Sequence, residues 1–123
     1  PEGEQFLCSP AEETPTPPGD VKADMVEIAR AIEAINTCTK IGARSVHTSW
    51  AGLRTFVADH EPVIGFDPVV GGFFWFAGQG GYGIQSAAGA SLLAKRLLRG
   101  EPLGPELEAE GVEPQGLSPA RLR

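Results

Sequence analysis

The stretch GGFFWFAGQGGYGIQSAAGASLLAKRLLRGEP, residues 71–102, constrains this chain more than any other. An apolar, aromatic run has to stop at Gly78, pass through Gly80, Gly81 and Gly83, and enter a helix within a few residues. Glycine is the residue that tolerates the left-handed backbone such a reversal demands. The helix is expected from about Ile84 to Arg99, with small residues (Ser86, Ala87, Ala88, Gly89, Ala90) in its first half and Leu92, Leu93, Leu97 and Leu98 in its second. Lys95, Arg96 and Arg99 suit the negative end of its dipole, Gly100 supplies the stop, and Pro102 follows.

Upstream, PVIGFD and GGFFWFAG read as two strands joined through Pro-Val-Val-Gly-Gly, an antiparallel hairpin. Period-two alternation in ARSVHTSWAGLRTF predicts a long strand with Val46, Thr48, Trp50, Gly52 and Arg54 on one face. A first helix is expected after Gly19, with Asp20 as N-cap and an apolar stripe of Val21, Met25, Ile28, Ile32 and Ile35. QFLCS, residues 5–9, reads as a short strand before a proline-broken segment, and residues 101–123 read as an extended tail in which Ser118 and Pro119 open one short turn. The fold class is α+β: part of an antiparallel sheet, one amphipathic helix and a C-terminal helix behind the glycines. The expected divisions are residues 1–77, 78–100 and 101–123.

Counted from Gly78, the glycines spell G-x-G-x-x-G, which raises a dinucleotide fingerprint. That motif requires a second parallel strand ending in an acidic residue about 20 positions on, for the ribose. Only Glu101 falls near that distance, beyond the helix stop and among prolines, so the Rossmann reading is rejected. The local physics survives. The first N–H groups of a helix lack intrahelical partners and can donate to an anion or a polarised carbonyl, and glycines let it approach. The competing reading is a glycine turn with no ligand.

A formal charge of −6 with scattered basic residues argues against nucleic acid, which needs clustered Lys and Arg. No apolar run reaches the roughly 20 residues of a membrane span and no signal-peptide pattern is present, so a soluble, cytoplasmic protein is expected. Cys8 and Cys38 have no zinc spacing and read as reduced thiols that pack as small apolar residues. The chain starts at Pro1 in what reads as mid-fold, so a fragment or one subunit of a split enzyme is expected.

Arg54 is the second candidate for chemistry. On a strand face with Trp50, its guanidinium could grip a carboxylate through two hydrogen bonds; equally, it could be a solvated strand-end charge or a partner of Asp59 or Glu61. His47 and His60 have no nucleophile or ligand set around them and read as structural or surface residues. Tyr82, inside the glycine cluster, could line a pocket or cover an apolar surface. No catalytic residue and no metal site is assigned.

In order and at matching separations, W-A-G-L-R (50–54), P-V-I-G (62–65), the cluster from Gly78 and L-L-R-G (97–100) resemble the C-terminal part of the D-amino-acid oxidase superfamily of flavoproteins, especially its glycine oxidase, sarcosine oxidase and D-amino-acid dehydrogenase branch. The resemblance spans about residues 44–104, and the segments before it look like the end of that family's substrate domain. It implies FAD as cofactor, with Gly78, Gln79, Gly80, Gly81, Tyr82, Gly83 and Ile84 at the flavin ring, and Arg54 on the carboxylate of an amino-acid or amine substrate whose C–N bond is oxidised by hydride transfer. Gln79 stands where many relatives carry His, and Thr55 where a proline is common. The family's N-terminal FAD-binding portion would have to come from elsewhere in a longer chain or from a partner chain, and the isolated fragment is expected to be inactive. The alternative is a non-catalytic interaction or structural domain in which the glycines only turn the chain.

Overall fold

The computed structural model describes residues 5–123, which fall into two compact units, the first ending at Leu53 and the second running from Arg54 to Arg123. In the first unit, helix α1 (Met25–Cys38) is capped by Asp24, not Asp20: its Oδ1 accepts from the amides of Val26 at 2.7 Å and Glu27 at 3.2 Å. An Asp four residues further on, with Glu27 three residues after it, matches the N-terminal pattern better than Gly-Asp does, so Val21 falls outside the helix. Ile28, Ile32 and Ile35 are half-buried along one side.

Two expected strands do not form. Residues 6–9 are irregular, and the alternating stretch after Ala43 makes no ladder up to the end of the unit or beyond it to Val57. Alternation predicts which residues share a face only if a neighbouring strand supplies hydrogen bonds, and among the described residues none pairs with this segment. Cys8 and Cys38 are free thiols, but both are exposed instead of packed.

The second unit carries the expected hairpin. β1 (Val63–Phe66) pairs antiparallel with β2 (Phe74–Ala77) in the register Val63 to Ala77 and Phe66 to Phe74. Its connection is closed by Asp67, whose Oδ1 accepts from the amides of Val69 and Val70, both at 2.8 Å, and whose Oδ2 accepts from Trp75 Nε1 at 3.0 Å. The Phe66 and Phe74 rings meet edge to face at 5.0 Å, a favourable aromatic geometry.

Helix α2 (Gly83–Arg99) lies on the hairpin and ends as expected: Gly100 adopts the left-handed conformation at φ 62°, and the Glu101 amide donates back to the Arg96 carbonyl at 2.9 Å. Glu101 itself pairs with Arg96 at 3.2 Å and with Arg99, so the one acid at ribose distance closes a helix end. Ile64, Leu93 and Leu107 form the buried core, ringed by residues that include Phe74, Leu97, Leu103, Val112 and Leu117.

Leu107 and its neighbours correct the extended-tail expectation. The tail forms two short helices, α3 (Pro105–Ala109) and α4 (Pro114–Leu117), and a 3-10 turn at Pro119–Leu122 that Ser118 caps. Each begins with a proline in its first position, where the missing N–H costs nothing and the fixed φ is already helical; residues that look like breakers act as starters. The tail packs against β1, and three successive β1 residues, Val63, Ile64 and Gly65, are buried. Among the described residues no helix is long and apolar enough to cross a membrane, and no cluster of three metal-ligating side chains occurs.

Two outcomes follow for this unit. Gly65 has φ 153° and a Cβ there would stand 3.1 Å from Pro119 Cδ, so Gly65→Ala is expected to lower unfolding stability by about 1–3 kcal/mol in a denaturant titration. Asp67 is held down to about 2, chiefly by the Trp75 indole N–H, then by the amides of Val70 and Val69, with the Arg123 guanidinium adding to these. A depressed carboxylate stabilises fully above the ordinary Asp value of about 3.9, and that contribution is lost as pH falls toward 2. Acid titration followed by tryptophan fluorescence should show this loss in the wild type and not in Asp67→Asn.

Candidate functional site

The site is built where β2 hands the chain to α2. Gly78 leaves the strand at φ 72° and is buried, with Val57, Pro62 and Val63 within 4 Å of where its Cβ would be. Gly80 follows at φ 54°, and its amide donates to the Thr55 carbonyl at 3.0 Å. These two glycines are required by the backbone itself. At Gly81 and Gly83 the constraint is proximity: a Cβ on Gly81 would sit 3.1 Å from Arg54 Nη1, and one on Gly83 3.0 Å from Gln79 Cβ.

Arg54 and the glycine cluster, separated by more than twenty residues in sequence, are therefore side by side. The long strand that would have aligned Arg54 with Trp50 is absent, and the aromatic surface beside the guanidinium is Phe56, whose ring centroid lies 5.0 Å from Cζ. Such stacking holds a cation by the ring's negative face. Asp59, one of its expected partners, is instead taken by Arg121, with Nε to Oδ2 at 2.7 Å, and that charge-assisted bond holds the carboxyl below the usual Asp range.

Tyr82 is the N-cap residue of α2 and offers it no side-chain cap. Its hydroxyl donates to the His60 carbonyl at 2.8 Å, and its own carbonyl accepts from the amide and the hydroxyl of Ser86. His60, at φ 63°, stacks on Phe56 at 5.2 Å between centroids, a structural role. His47 Nδ1 lies 3.1 Å from the hydroxyl of its neighbour Thr48.

Past Tyr82, the amides of Gly83, Ile84 and Gln85 have no acceptor among the described residues, and the first turn of α2 carries no acid. Ile84 is 96% exposed, an apolar side chain standing free beside three unsatisfied donors. Donors of this kind, on the positive end of a seventeen-residue helix, fit a planar group with polarised oxygens on its edge and an apolar face. Phe56 and Arg121 have no functional signal in the sequence, and Thr55 stands out only as a departure from the family's proline, not as the carbonyl that receives the Gly80 amide. Phe56 was read only as the end of an alternating strand, and Arg121 acts across sixty-two residues.

The Gly80 and Gly81 requirements differ, and substitution separates them. Gly80→Ala places a methyl 2.8 Å from Phe56 Cε1 on a left-handed backbone and should cost about 1–2 kcal/mol of stability. Gly81→Ala meets only the movable tip of Arg54 and should stay within about 0.5 kcal/mol in the same denaturation measurement.

A family model described as FAD dependent oxidoreductase (DAO) matches residues 1–96. The match takes in the Arg54 segment, the hairpin, the glycine cluster and all but the last turn of α2.

Proposed function

The chain belongs to the D-amino-acid oxidase superfamily of FAD-dependent oxidoreductases, and on that premise we propose that residues 78–84 receive the flavin ring while Arg54 holds a substrate carboxylate beside it. The observation that supports this most is the pairing of a helix start that has no side-chain cap with a cation at one turn: three amides without acceptors among the described residues and the Arg54 guanidinium against Gly81.

FAD, when bound, supplies a two-electron acceptor. The residues of this chain contribute charge and position. The amides of Gly83, Ile84 and Gln85 would hold negative charge on an oxygen placed at the helix start, where the dipole favours it. Gly80, Gly81 and Tyr82 would border the ring, with Gly78 and Gln79 shaping the turn beneath. Arg54 would anchor an amino acid by its carboxylate through two parallel hydrogen bonds, fixing which face of the Cα–H is offered for hydride transfer from the C–N carbon. Phe56 keeps the guanidinium from swinging away.

Among the described residues the sheet is two-stranded and antiparallel, with no parallel unit for adenine and pyrophosphate. The proposed division of labour follows: residues 1–77 close a substrate domain, residues 78–100 face the flavin, and residues 101–123 support them, while the adenine half is held by another segment or chain. By this reading the 123 residues alone do not turn over substrate, and the setting is cytoplasmic.

In the complete flavoenzyme, Arg54→Ala is expected to lower kcat/KM for an amino acid roughly 10–100-fold, the loss of about 1.5–3 kcal/mol of charged hydrogen bonding, mostly through KM. An amine of the same shape without the carboxylate should be oxidised equally by both proteins. Equal losses for the two substrates would remove the carboxylate role from Arg54.

A further inference from the structure

The turn that anchors Tyr82 is itself clamped from the far end of the chain. Arg121, whose side chain is 15% exposed, donates to Asp59 twice, Nε to Oδ2 at 2.7 Å and Nη2 to Oδ1 at 3.1 Å. Its Nη2 also reaches the Glu61 carbonyl at 2.7 Å, and Nη1 the Ser118 carbonyl at 3.1 Å. Between these two gripped residues lies His60, on a left-handed backbone that is unfavourable for any side chain, with its carbonyl aimed at the Tyr82 hydroxyl. A strained residue persists only where its surroundings hold it: the His60 amide donates to the Val57 carbonyl at 3.0 Å, the Glu61 amide to Asp59 Oδ1 at 3.1 Å, and the guanidinium grips the residues on both sides.

We infer that Arg121 is a positioning residue for the flavin-facing turn: by fixing residues 59–61 it presents the His60 carbonyl to Tyr82, and so sets where α2 begins. The C-terminal 3-10 turn is then part of the site's support, although its nearest functional neighbour in sequence is more than thirty residues away. The geometry is one continuous path: Ser118 caps the turn that carries Arg121, Arg121 grips Asp59 and Glu61, His60 between them accepts from Tyr82, and Tyr82 bonds Ser86 inside α2. Each link is a hydrogen bond of 3.2 Å or less. Lysine could keep the charge but not the planar fork that spans a carboxylate and a carbonyl together. The consequence for flavin rests on the site proposed above; the positioning of Tyr82 does not.

Tyr82 is the one tyrosine of the chain, so a ring-carbon label on tyrosine gives a single NMR signal that reports its hydroxyl hydrogen bond. In Arg121→Ala that signal is expected to move toward the position it takes in a denatured sample. Amide exchange at Gly80 and Tyr82 should accelerate about tenfold, while exchange at Leu93 stays as in the wild type. Arg121→Lys should give a smaller move in the same direction, and it serves as the test if the alanine variant does not fold. An unmoved tyrosine signal in a folded variant, with faster exchange confined to residues 59–61, would overturn the inference and leave Arg121 as a local tail anchor. Neither measurement uses flavin. In the complete flavoenzyme, a moved tyrosine signal with an unchanged flavin spectrum would keep the positioning role and remove the flavin site, so the two ideas fail separately.

Discussion

Burial of Leu93 with Ile64 and Leu107 is the contact on which the second unit depends. It joins α2, β1 and α3 at one point, and each such side chain removed from water contributes about 1.5–3 kcal/mol. With few residues fully buried, the tail is part of the core: without it the helix would rest on the hairpin alone, and a lone hairpin is marginal in water. The same contact aims the start of α2. Because Leu93 is pinned, the turn from Gly78 to Tyr82 has one place to end, and the glycines make that ending sterically possible.

Three acids of this unit, Asp59, Asp67 and Glu101, are engaged by arginines away from the start of α2. Asp59 and Asp67 are each held by an arginine from the last three residues, and Glu101 is held by Arg96. The positive end of α2 keeps its donors, and Arg54 adds a cation to the same turn. This distribution is the physical basis for the anion-accepting and carboxylate-accepting roles proposed for this turn, in a chain whose net charge is −6.

The hairpin and α2 could be read from the residues because their signals are local: short apolar runs bounded by Pro and Gly, a glycine entry, a leucine side and a glycine exit. That Arg54 and the glycine cluster serve one site is implied by the family resemblance, but the approach of Arg54 to Gly81 and the partner ring Phe56 are not. The strand through Arg54 failed because alternation is a statement about one chain, whereas a strand is a relation between two. The tail failed for a different reason. Pro119 reads correctly as the opening of a short turn, but Pro105 and Pro114 read as interruptions, although in the first position of a helix they are permissive, and choosing between these roles requires knowing that Leu107 and Leu117 have a surface to pack on.

What the residues alone determine here is the punctuation and the chemistry: where glycine must turn the chain, where the helix stops, that the start of α2 has no acidic neighbour, and which family the order of motifs belongs to. What only the tertiary structure decides is partnership. Arg121 finds Asp59 across sixty-two residues, Tyr82 finds the His60 carbonyl across twenty-two, and Arg54 lies over Phe56 instead of sharing a strand face with Trp50. Such pairings are set by which apolar surfaces are buried together, and a one-dimensional pattern carries local preference but not the three-dimensional cost of leaving a given surface in water.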